Sequence, residues 1–360
     1  MNIIKKKLID KINKYQDGIP LDQYIQICLF DEKGYYNQYQ PIGQTSDFIT
    51  SPEISQLFGE IVGLYIYNLW TNHFNCDFNL IELGPGKGTL MSDILRINNN
   101  FKGFINSINL DLIELNKKLI RSQKEKLLGQ FINNNKIKWH NNFKSLKAKP
   151  SVIIANEFFD CFPTKQYIKI DGNWNEKKIK FNDKEDSFYI KNSIIKNSSL
   201  RNQLDKNTSN NKEFFEISTS REKYYNNICQ FIKKNSGVLI IIDYGYFAPR
   251  NYPSIQSIKY HHNTRILDNP GTQDITSLVD FQKFKEIAIE NKLNFYGPLT
   301  QRDFLLINGI TERKKRIFLN ANQKQKKDIE EGYLRLITKK GMGTIFKFII
   351  VSNFKINNAK

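Results

Sequence analysis

The chain is 360 residues long, with 40% hydrophobic and 25% charged residues, which is ordinary globular usage and excludes disorder as its default state. Its 54 basic against 36 acidic residues give a formal charge of +18, but lysine dominates and is scattered apart from short runs at 5–7 and 313–316, so a solvated surface is expected and nucleic acid is not an expected partner. Four distant cysteines, Cys28, Cys76, Cys161 and Cys229, argue against a disulfide framework or cysteine zinc site, and no apolar run reaches the roughly 18 residues of a membrane span.

In chain order, 1–15 alternates Ile and Leu with Lys at helical spacing and reads as a surface helix. Asp10, the lack of arginine and the lack of a small-residue cleavage site argue against a signal or transit peptide, so a bacterial-type cytoplasmic location is expected. Next comes an aromatic, turn-rich stretch, Gly34-Tyr35-Tyr36, Pro41-Ile42-Gly43 and 46–53. It leads into a helix over 54–70, with Ile54, Leu57, Phe58 and Ile61 on one face and Pro52 and Glu53 suited to its first turn. Five short, largely apolar strands follow at 78–83, 108–114, 136–140, 151–156 and 238–244, with helical patterns at 88–97, 117–128 and 221–234. This alternation predicts an α/β fold, a mostly parallel sheet with helices on both faces. Residues 166–181, turning at Asp171-Gly172, predict a β-hairpin. Residues 193–211, rich in Asn and Ser, read as a mobile insertion, and 344–352 as an antiparallel strand at the sheet edge after the Gly341-Met342-Gly343 turn.

The sharpest chemistry follows the first strand: Ile81-Glu82-Leu83-Gly84-Pro85-Gly86-Lys87-Gly88-Thr89. Three alternating glycines between a strand and a helix let a ligand lie against the backbone, and the helix start offers free N–H groups to negative charge. The third glycine comes one position early for GxGxxG, and GxxxxGKS/T is missing here, so a dinucleotide fingerprint and a P-loop are both disfavoured. Glu82 can hold an ammonium group, and S-adenosyl-L-methionine (SAM) offers an ammonium for Glu82 and a carboxylate for the loop. The pattern E-x-G-x-G-x-G therefore favours SAM over NAD as cofactor. Glu114, ending the second strand, can accept both ribose hydroxyls, which supports a nucleoside without choosing between the two; a solvated helix start accounts for it nearly as well.

At the end of the fourth strand, Asn156-Glu157-Phe158-Phe159-Asp160 puts polar groups where open α/β sheets bind ligands. Methyl transfer from a sulfonium is an in-line displacement that needs a lone pair aimed at the methyl carbon. A guanidinium stays protonated, and its planar fork suits carboxylates. Glu157 and Asp160, three apart, therefore suit an arginine acceptor, orienting one nitrogen and taking up its proton. The plainer alternative, in which Asp160 caps the next turn and Glu157 makes a structural ion pair, stays open at this point. His73, His140, His261 and His262 suggest no metal site, and no GxSxG is present.

These motifs resemble the MidA-like SAM-dependent methyltransferases over roughly 22–351 of the chain. The series runs Gly34-Tyr35-Tyr36, Asp47-Phe48-Ile49-Thr50 with Pro52-Glu53, Phe58-Gly59-Glu60, the glycine loop, Asn156 to Asp160, Asp243-Tyr244-Gly245, Pro270-Gly271 with Asp274-Ile275-Thr276, Val279-Asp280-Phe281, and Gly341-Met342-Gly343. The resemblance implies a Rossmann-like class I SAM-dependent methyltransferase fold with SAM as cofactor. For the mitochondrial members, which are respiratory complex I assembly factors, it also implies dimethylation of an arginine on a complex I subunit. It puts Glu82, Gly84, Pro85, Gly86 and Gly88 on the cofactor loop, Glu114 at the ribose, and Asn156, Glu157 and Asp160 beside the methyl. Asp47, Phe48 and Glu53 are expected in the acceptor pocket. Lys87 stands where arginine is usual, Ser46 where glycine is usual and Cys161 where alanine is usual. The expected organisation is an N-terminal helical cap, 1–75, packed on a methyltransferase domain, 76–352, with a hairpin and polar insertion near 165–215 and a further insertion near 248–310. The expected function is methylation of a protein side chain at an arginine nitrogen, with a complex I subunit or its bacterial counterpart as candidate partner. A small-molecule or other-nucleophile methyltransferase, or an assembly factor that retains the fold, are the alternatives.

Overall fold

A computed structural model describes residues 2–38, 50–98, 100–129, 136–207, 213–248 and 250–356. The five expected strands belong to a sheet of eight: β1 (Phe78–Leu83), β2 (Ile108–Ile113), β3 (Ile137–His140), β4 (Ser151–Asn156), β5 (Gly237–Tyr246), β6 (Val279–Asp280), β7 (Asn294–Thr300) and β8 (Phe346–Ser352). Across the sheet the order is β3-β2-β1-β4-β5-β8-β7, with β6 beside the end of β5. Strands β1 to β5 run parallel, and β8 lies antiparallel between β5 and β7. The chain builds outward from β1 through β2 to β3, then returns to lay β4 on the other side of β1. Connections leave β1 and β4 in opposite directions, which opens a crevice at their carboxyl ends.

Both faces of this sheet are covered, which is why its strands read as unbroken apolar runs. Alternation sorts the side chains. Leu80, Leu110, Ile154 and Ile240 share a core with helices Gln56–Leu69 and Thr89–Asn98, while Ile81, Ile153, Leu239 and Ile241 share one with helices Thr219–Asn235 and Phe281–Glu290. The expected helix over 54–70 is broken at Ser55, whose extended backbone (φ −158°) separates Ser51–Ile54 from Gln56–Leu69 and whose hydroxyl accepts from the Leu57 N–H. Strand β8 is antiparallel as expected but is not at the edge, because β7 lies outside it. In sequence the Gly297-Pro298 pair interrupts β7; a proline lacks the N–H that an inner strand must donate and is tolerated at an edge, where the register of β7 also shifts.

A second, five-stranded antiparallel sheet comprises Ile19–Pro20, Lys165–Ile170, Asn173–Asn182, Ser187–Ile194 and Phe214–Ile217. It holds the expected hairpin, whose turn residues Asp171 and Gly172 have φ of 48° and 77°, the left-handed pair of a two-residue hairpin turn. Helices Ile3–Ile12 and Leu21–Phe30 pack on this sheet through Ile4, Leu8, Tyr24 and Cys28 against Ile179. The mobile insertion expected at 193–211 is corrected for its described part. Ser198–Asn207 is a helix whose Leu204 packs with Ile195, Tyr167 and Trp174, so two apolar residues in a polar stretch are enough to seat it. Among the described residues no helix is long and apolar enough to cross a membrane.

Candidate active site

Strand β1 delivers Glu82 and then the glycine loop to the crevice. Gly84, Gly86 and Gly88 take φ of 62°, 54° and 75°, and a Cβ on Gly84 would stand 3.1 Å from the Phe158 ring. Helix Thr89–Asn98 begins at once, turning its first N–H groups toward the crevice. Glu82 is 3% exposed, and its Oε2 has no hydrogen-bond partner among the described residues. Burial, and then the charge of Glu114, push its carboxyl up to about 8. Glu114 follows β2; its Oε1 accepts from the N–H groups of Leu115 and Asn116, both at 2.8 Å, and its Oε2 from Gln123 Nε2 at 3.2 Å. Burial raises its pKa against the pull of these bonds. Both lone pairs of Oε1 are thereby engaged, and Oε2 keeps one for a ligand hydroxyl.

Gln123 escapes sequence reasoning. Fully buried, it donates to the Gly86 carbonyl at 2.7 Å as well as to Glu114, and its own carbonyl accepts from the Trp139 indole at 2.9 Å. It thereby ties the loop to Glu114. A signal was available, since Gln123 interrupts a stripe of buried residues at every fourth position, Leu119, Gln123 and Leu127. An orphaned buried carboxylate oxygen beside a cradle that a Cβ would fill suits a cationic group on a ligand lying against the loop. These residues fit SAM in kind, since it carries an ammonium and ribose hydroxyls that a buried carboxyl can meet.

Strand β4 ends at Asn156, whose side-chain oxygen is buried without a partner among the described residues. Glu157 adopts φ of 48°, a costly conformation for a residue with a side chain, fixed by its N–H donating to the Ile242 carbonyl of β5 at 2.8 Å. Its carboxyl is met by the Asn156 amide at 3.5 Å and by the Ser51 N–H; burial first, then the charge of Asp160, push it up to about 8. Asp160 accepts from the Tyr244 hydroxyl at 2.5 Å. Burial raises its pKa, while Tyr244 and the Arg221 charge oppose the rise. Glu157 makes no ion pair among the described residues, whereas the Asp160 carboxyl bonds both the Tyr244 hydroxyl and the Cys161 N–H of its own turn, so it caps that turn while facing the cavity. The buried Asp243 accepts from the N–H groups of Phe159 at 3.0 Å and Tyr244 at 2.9 Å, and so shapes the turn that carries both acids.

One cavity of about 270 Å³ brings together Glu53, Glu82, Gly84, Pro85, Asn156, Glu157 and Asp160. Gly86, Gly88 and Glu114 are not in its wall. Gly86 and Glu114 meet at Gln123, and a Cβ on Gly88 would stand 3.3 Å from the Gln123 side chain. Glu53 accepts from the Thr89 hydroxyl, which in turn accepts from Lys126 Nζ at 2.6 Å. Asp47 and Phe48 lie outside the described residues. Tyr36, Tyr244, Gln256 and Asp274 also line the cavity and had no assigned role from sequence. The Tyr36 hydroxyl donates to Asp274 at 2.9 Å and its carbonyl accepts from Asn116 at 2.7 Å, joining the upstream segment to the residues beyond β2. Among the described residues, five acids, Glu53, Glu82, Glu157, Asp160 and Asp274, stand with one lysine, Lys87, in this wall. In a chain of net charge +18, such a cavity selects a cationic guest.

Comparison with known proteins agrees with this geometry. Residues 61–299 match a family described as "Putative S-adenosyl-L-methionine-dependent methyltransferase". The chain is 30% identical to the mitochondrial protein arginine methyltransferase NDUFAF7 homolog of Caenorhabditis elegans, over 95% of this chain and 84% of that protein. It is likewise 30% identical to the mitochondrial protein arginine methyltransferase NDUFAF7 of Xenopus tropicalis, over 97% and 86%. In fold it is similar to a protein of Burkholderia thailandensis crystallised with S-adenosyl-homocysteine, with a TM-score of 0.86 at 21% identity, covering 99% of this chain and 94% of that one. These relatives overturn the expected cytoplasmic location, since both named methyltransferases are mitochondrial. The expectation rested on the composition of 1–15, but that segment forms helix Ile3–Ile12, with Ile4, Leu8 and Ile12 buried, so its make-up reports packing and not an address.

Proposed function

The chain belongs to this family of S-adenosyl-L-methionine-dependent methyltransferases, and from that premise we propose that its acceptor is an arginine side chain of a protein, methylated on a guanidinium nitrogen. The observation that carries the reading is the acidic wall of the cavity, above all Glu157 and Asp160 on one turn. Bound SAM supplies a methyl group activated by its sulfonium. In our reading Glu82, Gly84, Pro85, Gly86 and Gly88 hold the cofactor's amino-acid portion, and Glu114 its ribose. Glu157 and Asp160 take the N–H groups of the guanidinium and turn one nitrogen toward the methyl. The cationic guests favour the ionised form of Glu157 that burial alone penalises, and the carboxylate accepts the proton that this nitrogen loses. The free carbonyl of Asn156 and the carboxylate of Glu53 orient the acceptor. The matching organisation is a catalytic domain, 76–352, with 1–75 as a cap over the acceptor side; the presence of Tyr36, Thr50, Pro52 and Glu53 in the cavity wall supports it.

The names of the mitochondrial relatives support a protein acceptor. The candidate that the family resemblance implies is a respiratory complex I subunit or its bacterial counterpart. The test is incubation of the enzyme with methyl-tritiated SAM and the proteins of the source cells, followed by total acid hydrolysis. Label recovered as methylarginine, and lost with Glu157→Gln, is the expected result. Label confined to small molecules or to methyl-lysine overturns the acceptor assignment.

A further inference from the structure

A second cavity adjoins the first at Gln256, an exposed residue that stands in the wall of both. It is open to solvent, with a volume of about 410 Å³, and lies between the antiparallel sheet and a small three-stranded sheet of Gln256–Lys259, His262–Thr264 and Asp274–Thr276. Its character is the opposite of the first. Lys177 and Arg265 supply cations, Ile190, Ile255 and Ile266 supply apolar surface, and no carboxylate lines it among the described residues. Lys177 is half-buried on strand Asn173–Asn182, with its ammonium 5.3 Å from the centre of the Phe214 ring, and burial pushes its pKa down. It makes no ion pair among the described residues. The acid whose charge reaches it, Glu216, is already engaged by the Gln166 amide at 2.6 Å and the Ser254 N–H at 3.0 Å. Arg265 meets only the exposed Asp268 among the described acids, at 3.3 Å, a contact of little worth in solvent.

We propose that this second cavity receives an acidic side chain of the methyl acceptor, a few residues from the target arginine, so that the enzyme reads an extended segment carrying both charges. The inference rests on the arginine acceptor proposed above and goes beyond it by naming the neighbouring residue. An extended chain advances roughly 3.3 Å per residue, so it can cross the shared wall at Gln256 and offer side chains to both cavities. The side-chain amide of Gln256 can bond the backbone as it passes. A half-buried ammonium gains a charge-assisted hydrogen bond from such a carboxylate. The reversed arrangement would set a guanidinium against Lys177 and Arg265 and a carboxylate against Glu157 and Asp160. The segment is therefore read in one register.

The experiment measures binding of fluorescent peptides, by anisotropy, to the enzyme saturated with S-adenosyl-homocysteine. Each peptide carries one arginine in a neutral sequence, with Glu, Gln or Lys walked through the flanking positions. At one or two positions Glu should bind about tenfold tighter than Gln, the size of one hydrogen bond to a charged group. Lys177→Glu should reverse that preference in favour of Lys, and Lys177→Gln should abolish it without reversal, which keeps the test readable if the charge reversal disturbs folding. Equal binding of the Glu, Gln and Lys peptides, a preference untouched by either variant, or no binding by any peptide overturns the inference. Replacing the arginine itself by alanine with no loss of binding overturns the arginine reading instead, whichever flank is preferred.

Discussion

Glu82 and Glu157 are held at about 8 in the folded chain, where a carboxyl of this kind ordinarily titrates at 4.5. In both the folded value lies above the unfolded one. The stability they contribute is therefore whole below about pH 4.5 and is lost as pH rises through about 8. The melting temperature of the ligand-free protein should fall across that window, and Glu157→Gln, which cannot ionise, should fall less steeply than the wild type. Thermal unfolding across the window checks this, and a variant that parallels the wild type at every pH contradicts it. A cationic guest acts in the opposite direction, because it favours the ionised carboxylates that the empty cavity penalises. Glu82, Gly84, Glu157 and Asp160 were legible in the sequence because each lies within a few residues of a strand end, where topology alone dictates a ligand site. Gln123 was not, since the periodicity of its helix reveals which face is buried but not what it meets, and Tyr36, Gln256 and Asp274 were not, since they come from a turn-rich stretch and an insertion in which no periodicity assigns a role.

Strands buried on both faces announce themselves as apolar runs, and β1, β2, β4 and β5 were legible on that ground. Strand β7 was not, because Gly297-Pro298 looks like a turn until an edge position excuses the missing N–H. Helix Ser198–Asn207 was obscured for a different reason, as few apolar residues in a polar stretch of sequence, Leu204 with Ile195 before it, seat it against Tyr167 and Trp174. The same contrast between inner and outer positions predicts where substitution hurts. Ile240, at the centre of β5 and fully buried, should cost about 2–5 kcal/mol when replaced by alanine. Ile194, 64% exposed at the end of an outer strand of the second sheet, should cost under about 0.5 kcal/mol. Urea unfolding of Ile240→Ala and Ile194→Ala measures both, and comparable losses contradict the layer assignment.

At the scale of the whole molecule, the eight-stranded sheet, the small three-stranded sheet and the segments that carry Tyr36, Thr50, Pro52 and Glu53 meet around the crevice between β1 and β4, and an acidic cavity results inside a basic protein. Both ligands of the proposed reaction carry positive charge at the atoms that matter, and one cation prepares the wall for the other by keeping its carboxylates ionised. The glycine loop with Glu82 is the part on which everything else depends. Titration calorimetry of the purified protein with S-adenosyl-homocysteine, in buffers of different ionisation heat near about pH 7, tests it most directly. The account predicts a single ligand per chain and release of up to about one proton as Glu82 ionises against the ligand's ammonium. Gly84→Val should abolish binding, and Glu82→Gln should weaken it and remove the proton release. Undiminished binding by Gly84→Val, or proton release that survives Glu82→Gln, would contradict the account.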